Sequence, residues 1–323
     1  MKRKGWIWML MIILAGMTLS GCAAGGKQED RPSSLILATG GTAGTYYPLG
    51  GGMANVIKEK AGVNTTAQVT GASVENMRLL SKKEVDLAFT QSDIADYAHK
   101  GIEMFKDSKV DNLNAIGGLY LETVQIVVAE GSSIQSVSEL KGKKVSVGSP
   151  GSGTEANARQ ILEAYGITFD DMGTERLSFG DSAKKIQDGQ LDAAFITAGA
   201  PTAAVNELAA TKGVRILTLD KEGVKKLIDK YPFYVEQTIA ASTYPKQDAE
   251  VTTVAVKAVL TVRAELAEGL VYDMTKALYE NTDALVAINT KAKEMKAEDA
   301  VKGISIPLHP GALKYYKEKG YVN

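Results

Sequence analysis

A five-residue phrase occurs twice in this chain, in matching surroundings, and that repetition limits the available folds more than any other feature. "VDLAF" at 85–89 and "LDAAF" at 191–195 each follow a helical stretch ending in polar residues, and each leads into a small-residue loop and another helix. Upstream of both stand a strand, a Gly-rich loop, a helix and a further strand and helix. In the first copy the strand is Leu35 to Thr39 and the loop is "ATGGTAGTYYPLG" at 38–50. Pro48 suits a first helical turn there, and Met53 to Ala61 continues the helix until Gly62. Thr65 to Thr70 reads as a strand, Ser73 to Ser81 as a helix, Leu87 to Thr90 as a strand and Ser92 to Lys100 as a helix. In the second copy the corresponding pieces are a strand at Lys144 to Val147, the loop "GSPGSGT" at 148–154, and a helix at Glu155 to Tyr165. A strand near Arg176 to Ser178 and a helix at Ser182 to Asp188 complete it. Alternation of this kind predicts parallel α/β structure, and its duplication predicts two α/β lobes of related topology.

The C-terminal third departs from the pattern. Thr253 to Val262 reads as a strand, with Val254, Val256, Ala258, Leu260 and Val262 on one face. Helices are expected at Glu268 to Glu280 and near Thr282 to Lys293, and "LHPGALKYYKEKG" at 308–320 ends in a short helix after Pro310. This segment is expected to return to the first lobe. Lobe I then comprises residues 35–121 and 238–323, and lobe II residues 122–237. Leu121 to Gln125 and Pro232 to Thr238 are the crossings, expected to act as hinges.

The first 21 residues read as an export signal: Lys2, Arg3 and Lys4 form a basic start, and Trp6 to Leu14 is apolar but too short to span a bilayer. Leu19-Ser20-Gly21-Cys22 resembles the bacterial lipobox, which makes Cys22, the chain's single cysteine, the expected lipid-bearing residue. Residues 22–34 read as a flexible tether. The formal net charge of −1 gives no basic excess for nucleic acid or for electrostatic membrane binding.

Glycine lets backbone N–H groups approach a guest closely, and the helix that follows aims its positive end at negative charge. The opening loop is neither a phosphate P-loop nor a dinucleotide fingerprint, because no Gly-Lys-Ser/Thr follows and the Gly spacing does not fit. Ser152 with Glu155 also fits a capping box, which accounts for Ser152 with or without a guest. Ser73 and Ser92 read equally as helix caps and as contacts at strand ends, where open α/β sheets collect ligands. Gln91 has less reason to be a cap. No nucleophile, base and oxyanion donor assemble: His99 and His309 lack metal-ligand spacing, no Gly-x-Ser-x-Gly elbow occurs, and no cofactor or metal is expected.

Taken together, "GGTAGTYYPLGGGMA" (40–54), "GASVENMRLL" (71–80), "VDLAFTQSD" (85–93), "GSPGSGTEANA" (148–158), "LDAAFITAGAPTAAV" (191–205), "VYDMTKALYEN" (271–281) and "LHPGALKYYKEKG" (308–320) resemble the TAXI family. Its members are the solute-binding subunits of tripartite ATP-independent periplasmic (TRAP) transporters. The resemblance covers nearly all of the mature chain. It implies a two-lobed type II periplasmic-binding-protein fold with the ligand between lobes, and a small carboxylate such as glutamate, glutamine or a dicarboxylate as ligand. Carried over by motif, the contacts are Thr42, Thr45, Tyr46, Ser73, Asn76, Gln91 and Ser92 from one lobe, and Ser152, Gly153, Thr154 and Gly199 from the other. Ala198 and Ala200 stand where the family is expected to be richer in Gly, which bears on ligand size. The implied partners are TRAP membrane subunits, with an extracytoplasmic, membrane-anchored monomer as the working unit. A sensor working with a membrane receptor kinase would use the same lobe chemistry, and an enzyme on the same fold is the third reading.

Overall fold

The computed structural model describes residues 31–322. The export signal, Cys22 and most of the tether lie outside the described residues.

Lobe I begins with β1 (Ser34–Ala38), α1 (Tyr46–Val56), β2 (Asn64–Gln68), α2 (Ser73–Ser81), β3 (Leu87–Gln91) and α3 (Ser92–Lys100). A long strand, β4 (Leu113–Ala129), then runs into lobe II. There follow β5 (Lys144–Ser146), α4 (Gly153–Ala164), β6 (Gly173–Glu175), α5 (Phe179–Gln187), β7 (Ala193–Ala198), α6 (Ala203–Thr211), β8 (Val214–Ile216), α7 (Lys221–Lys230) and β9 (Val235–Ile239). A second long strand, β10 (Val251–Arg263), returns to lobe I, which α8 (Glu268–Glu280), α9 (Thr282–Val286) and α10 (Pro310–Glu318) complete.

The sheet is continuous, in the order β2-β1-β3-β10-β4-β7-β5-β6. β1 pairs in parallel with β2 and β3, and β5 in parallel with β6 and β7. Each set of three is closed by one long antiparallel strand, β10 on β3 and β4 on β7. The two lobes therefore carry the same strand order, as the duplicated phrase predicts.

The repeated aspartate does the same work in both lobes. Asp86 Oδ2 accepts from the Ile36 N–H at 2.7 Å while the Asp86 N–H donates to the Ile36 carbonyl at 2.9 Å. Asp192 Oδ2 accepts from the Lys144 N–H at 2.8 Å, and its own N–H donates to the Lys144 carbonyl at 2.9 Å. Each aspartate thus locks the entry of β3 or β7 against its parallel neighbour, where the first ladder groups would otherwise lack partners. The repeated phenylalanines, Phe89 and Phe195, are fully buried in the cores of lobe I and lobe II.

Helices cover both faces of each half-sheet. In lobe I, α1, α8 and α10 enclose one cluster that includes Leu37, Met53, Phe89, Leu260 and Met274, while α2 and α3 cover the other face around Met77, Ile94 and Val259. In lobe II, α4 and α7 cover Val145, Phe195 and Val254, and α5 and α6 cover Val127, Ile196 and Leu208.

Four boundaries differ from the sequence expectation. α1 begins at Tyr46 and closes with a π-helical turn, Ile57–Ala61, that ends at Gly62 in the left-handed conformation. The strand expected near Arg176 to Ser178 lies at Gly173–Glu175, because Ser178 caps α5 through its Oγ, 3.2 Å from the Asp181 N–H. α9 stops at Val286, since Asn289 Oδ1 caps a separate turn at the Lys291 N–H, 3.0 Å away. The outgoing crossing does fall within β4, but the return crossing is inside β10, not at Pro232 to Thr238. Val254 and Val256 belong to the lobe II core and Ala258, Leu260 and Val262 to that of lobe I, and the β4–β10 register is irregular between Lys257 and Val259. Tyr234 is buried inside lobe II, and Val235–Ile239 is a ladder partner of β10.

The matched aspartates give a stability expectation. Asp192→Ala should lower the unfolding free energy by about 1.5–3 kcal/mol, the worth of a hydrogen bond to a charged group. Asp86→Ala should fall at the upper end, because Asp86 also pairs with the largely buried Arg263 at 2.9 Å. Urea denaturation checks both, and a loss under about 0.5 kcal/mol at either position contradicts the shared role.

Candidate functional site

The N-terminal ends of α1, α2 and α4 converge where the lobes meet, and the cleft between them is a small cavity of about 50 Å³. At roughly 10–15 Å³ per water-sized group, it suits a compact guest. Lobe I contributes Gly40, Gly41, Gly44, Thr45 and Tyr46 from the opening loop, Gly71 to Ser73 before and at α2, Gln91 at the end of β3, and Tyr120 and Glu122 from β4. Lobe II contributes Ser149, Ser152, Gly153 and Thr154, then Phe179, Thr197 and Ala198.

The lobes are in direct contact around this cavity. The Gly199 N–H donates to Thr45 Oγ1 at 3.1 Å, the Glu75 N–H to the Gly151 carbonyl at 3.0 Å, and the Ala204 N–H to the Ala43 carbonyl at 3.3 Å. Glycine makes this approach possible. A Cβ at Gly153 would overlap the Gln91 side-chain amide, one at Gly71 would sit 2.6 Å from the Pro150 carbonyl, and one at Gly199 would sit 2.6 Å from Lys291 Cγ.

A chain of hydrogen bonds runs from the cavity wall into the seam. Gln91 Nε2 donates both to Glu122 Oε2 and to Asn157 Oδ1, each at 3.0 Å. Asn157 Nδ2 donates to Tyr234 Oη at 2.7 Å and to Asp93 Oδ2 at 3.3 Å. Tyr234 Oη donates to Gln160 Oε1 at 2.7 Å, and Gln160 Nε2 donates to Tyr97 Oη at 3.2 Å. Gln91, Asp93 and Tyr97 belong to lobe I, and Asn157, Gln160 and Tyr234 to lobe II.

Electrostatically the site is unusual for one expected to take an anion. Among the described residues no Lys or Arg lines it, and one carboxylic acid does. Burial pushes the Glu122 carboxyl up to about 8, although the nearby Tyr46, Gln91 and Tyr120 side chains hold it lower than burial alone would, and the Asp93 charge raises it further. Asp93 is likewise raised to about 7 by burial, against the opposing pull of the Ile94 and Asp93 N–H groups and Asn157. Burial, followed by the Glu122 charge, drives the Tyr46 and Tyr120 hydroxyls well above the usual phenol range. Both hydroxyls flank Glu122, close enough to hold its carboxyl lower, but neither makes a hydrogen bond of good geometry to it. Tyr46 Oη, Tyr120 Oη, Gln91 Oε1 and Thr197 Oγ1 are all buried without a partner among the described residues. Three of these atoms come from lobe I and one from lobe II, and each is a polar group that a guest or a water can satisfy.

Seven of the residues carried over from motifs line the cavity: Thr45, Tyr46, Ser73, Gln91, Ser152, Gly153 and Thr154. Four do not. Thr42 is exposed on the outer side of its loop. The Asn76 side chain is spent on the Thr39 and Phe89 carbonyls, at 2.7 and 2.8 Å, and on the Thr70 hydroxyl. Ser92 is buried behind Gln91 as the first residue of α3, and Gly199 is held by Thr45. Neither Ser73 nor Ser92 is a cap, since Ala72 and Gln91 occupy those positions and no side-chain cap bond forms. Ser152 does cap α4, accepting from the Glu155 N–H at 3.0 Å, but Glu155 reaches back to the Gly151 N–H instead of closing the box. Ala198 lines the cavity and Ala200 does not. Sequence reasoning missed Tyr120, Glu122, Phe179 and Thr197. The signal for Glu122 was present as a lone acid inside "LNAIGGLYLETVQIVVA".

The chain matches the NMT1-like family over residues 37–320 and belongs to it. Among solved structures, PhnD1 from Prochlorococcus marinus (MIT 9301), in complex with methylphosphonate, aligns over 90% of this chain and 100% of its own at 11% identity, with a TM-score of 0.56. The alkanesulfonate-binding protein SsuA from Xanthomonas axonopodis pv. citri, bound to MOPS, aligns over 82% of this chain and 85% of its own at 14% identity, with a TM-score of 0.50. The fold is the two-lobed α/β architecture of periplasmic binding proteins, as expected from the sequence.

Two expectations follow from the seam. Gly153→Ala should hold the lobes apart, because its Cβ has no space beside Gln91. Solution scattering should show a larger radius of gyration than for the parent protein, and an unchanged radius would mean that the seam tolerates the methyl group. Asp93 gives a pH dependence. Its folded-state pKa, about 7, lies above the ordinary carboxylate value, so the folded state holds a proton that the unfolded chain releases. Its contribution to stability is complete below about pH 4 and is lost as pH rises through 7. The stability of Asp93→Asn relative to the parent should therefore increase between pH 5 and 8 in chemical denaturation, and a pH-independent difference would contradict the assignment.

Proposed function

We propose that this chain is an exported solute-binding lipoprotein that captures a small carboxylate between its lobes and delivers it to the membrane subunits of a TRAP transporter. The observation that carries the reading is the cavity itself. It is closed by loops from two equivalent lobes, lined by the starts of three helices, and walled by polar atoms that lack partners. The carboxylate sits at the start of α4, where Gly153 and Thr154 offer first-turn N–H groups and Thr154 a hydroxyl. Its charge is met by helix-end dipoles and neutral donors, not by a cation. Arg159, the nearest base along α4, stacks instead on the Phe169 ring at 4.3 Å, and Arg176 is committed to Glu155 at 2.6 Å. The fold relatives above hold methylphosphonate and MOPS, both small oxyanion-bearing molecules. The TRAP partner, the lipid on Cys22 and the extracytoplasmic location rest on the resemblance of the sequence motifs and on the signal segment. The binding role, as opposed to catalysis, is supported by the binding-protein relatives.

The test begins with native mass spectrometry of the mature protein to identify the copurifying solute, followed by calorimetric titration of that solute. Thr154→Val should weaken its binding tenfold or more, about 1.4 kcal/mol, and Arg159→Ala should leave it within twofold. A loss of several hundredfold at Arg159 with none at Thr154 would assign recognition to an ion pair and overturn the neutral-donor reading.

A further inference from the structure

We propose that Asp93 is a proton-operated latch in the seam: closing the lobes over it takes up a proton, so that acid favours the closed cleft and alkali the open one. The proposal rests on the capture reading for its motion, the parting and closing of the lobes, and names how that motion is regulated.

Lobe II is what covers Asp93. The residue is the second of α3, in lobe I, and is fully buried. Three hydrogen bonds cross the seam around it. Gln91 Nε2 donates to Asn157 Oδ1 at 3.0 Å, Asn157 Nδ2 to Asp93 Oδ2 at 3.3 Å, and Gln160 Nε2 to Tyr97 Oη at 3.2 Å. Apolar contacts follow the same line. Ala156 of α4 packs into the lobe I cluster that holds Ile94, and Phe233 of lobe II meets the Tyr97 ring edge-on, with centroids 5.9 Å apart. Asp93 and Tyr97 are four residues apart on α3 and so share the face that lobe II covers. Parting the lobes removes Asn157, Gln160, Phe233 and Tyr234 together and returns Asp93 to water.

The closed seam does not support a charge at this place. One side-chain donor, Asn157 Nδ2, reaches the carboxyl, and Asp93 Oδ1 is buried without a partner among the described residues. The titratable groups around it are Asp96 and Tyr97 from α3 itself, Tyr234 from the segment before β9, and Glu122 from β4. β3 and α4 present the neutral amides of Gln91, Asn157 and Gln160. None of these is a base: Lys100 is paired with Asp96 at 2.9 Å, and Arg159 of α4 lies on the Phe169 ring. A buried carboxylate with so few donors costs more than the protonated acid, and burial accordingly raises Asp93 to about 7. In the open molecule it is a surface carboxyl in the first turn of a helix, with an ordinary value of about 4 or lower.

The closed state therefore holds a proton that the open state releases. The advantage this gives to closure is complete below about pH 4 and is lost as pH rises through 7. Across that window the closing equilibrium should fall by up to about tenfold per pH unit. Glu122, the other raised carboxyl, has Gln91, Tyr46 and Tyr120 beside it, all from lobe I, so parting the lobes removes none of them.

The experiment follows the mature protein, freed of solute by partial unfolding and refolding, by solution scattering from pH 4.5 to 8.5, with circular dichroism to show that it stays folded. The radius of gyration should increase with pH and reach its plateau by about pH 7. Asp93→Asn, which carries no charge at any pH, should keep the parent's acid radius throughout, and Glu122→Gln should follow the parent. Carbon-13 NMR titration of the Asp93 carboxyl gives a readout independent of how far the lobes part. Its midpoint should lie near 7 in the parent and fall to about 4 in Gly153→Ala, whose added Cβ has no space in the closed seam. A radius indifferent to pH overturns the latch, as does a pH dependence that survives in Asp93→Asn or disappears in Glu122→Gln. So does a midpoint that stays near 7 in a Gly153→Ala protein that scattering shows to be open. The latch fails on these results alone, whereas the capture reading fails on the absence of a copurifying solute, so the two are separable.

Discussion

Two antiparallel strands run through both halves of the molecule, and the functional geometry hangs on their pairing. β4 and β10 are bonded from Leu113 with Arg263 to Thr123 with Ala255. Each closes the parallel set of one lobe and supplies apolar residues to the core of the other. The lobes are therefore joined by sheet, not by loose linkers, and their relative motion must be taken up in the ladder. The ladder shifts register twice, between Lys257 and Val259 and between Leu260 and Thr261; Tyr120 stands opposite the first shift, and Glu122 pairs with Val256 beside it. Residues that line the cavity thus belong to the crossing itself, so movement of the lobes moves the wall of the site.

Two further constraints shape what that wall presents. One is steric. Gly71, Gly153 and Gly199 lie where a backbone of one lobe meets the other, and a side chain at any of them would meet atoms of the facing lobe. The Gly-rich loops thus let the opposing lobe approach closely. The other is the direction of a hydrogen-bond chain. Asp93 and Tyr234 orient Asn157, Asn157 orients Gln91, and Gln91 reaches Glu122. A buried carboxyl behind the cavity therefore helps decide which atoms of the Gln91 amide meet Glu122 and Asn157. Buried networks of this kind hold a single arrangement because each alternative orientation leaves two acceptors or two donors in contact.

The local part of this design was legible in the chain. Strand and helix alternation, the start of α4 at a Gly-rich loop, and the duplicated aspartate phrase are short-range patterns set by backbone sterics and by side-chain period. They were sufficient to place two related lobes and most of the cavity's helix-start residues. Asn76 and Gly199 show the limit. Both lie in motifs of the right kind, yet Asn76 is consumed in stapling Thr39 to Phe89 and Gly199 in receiving Thr45. Only knowledge of which groups remain unpaired distinguishes a ligand contact from a structural one.

The amino-acid sequence by itself determined the repeated α/β halves, the two glycine-rich helix starts and the absence of a cation from those loops, because each depends on residues near one another along the chain. Tertiary structure decided where the chain crosses between lobes and that Glu122 faces the cavity. It also decided that Arg159 turns away to Phe169. These outcomes depend on ladder register and on partners far apart in the chain, such as Gln91 with Asn157 or with Glu122. A side chain's role in such a place is set by desolvation and by competing donors, and both exist only once the two lobes have met.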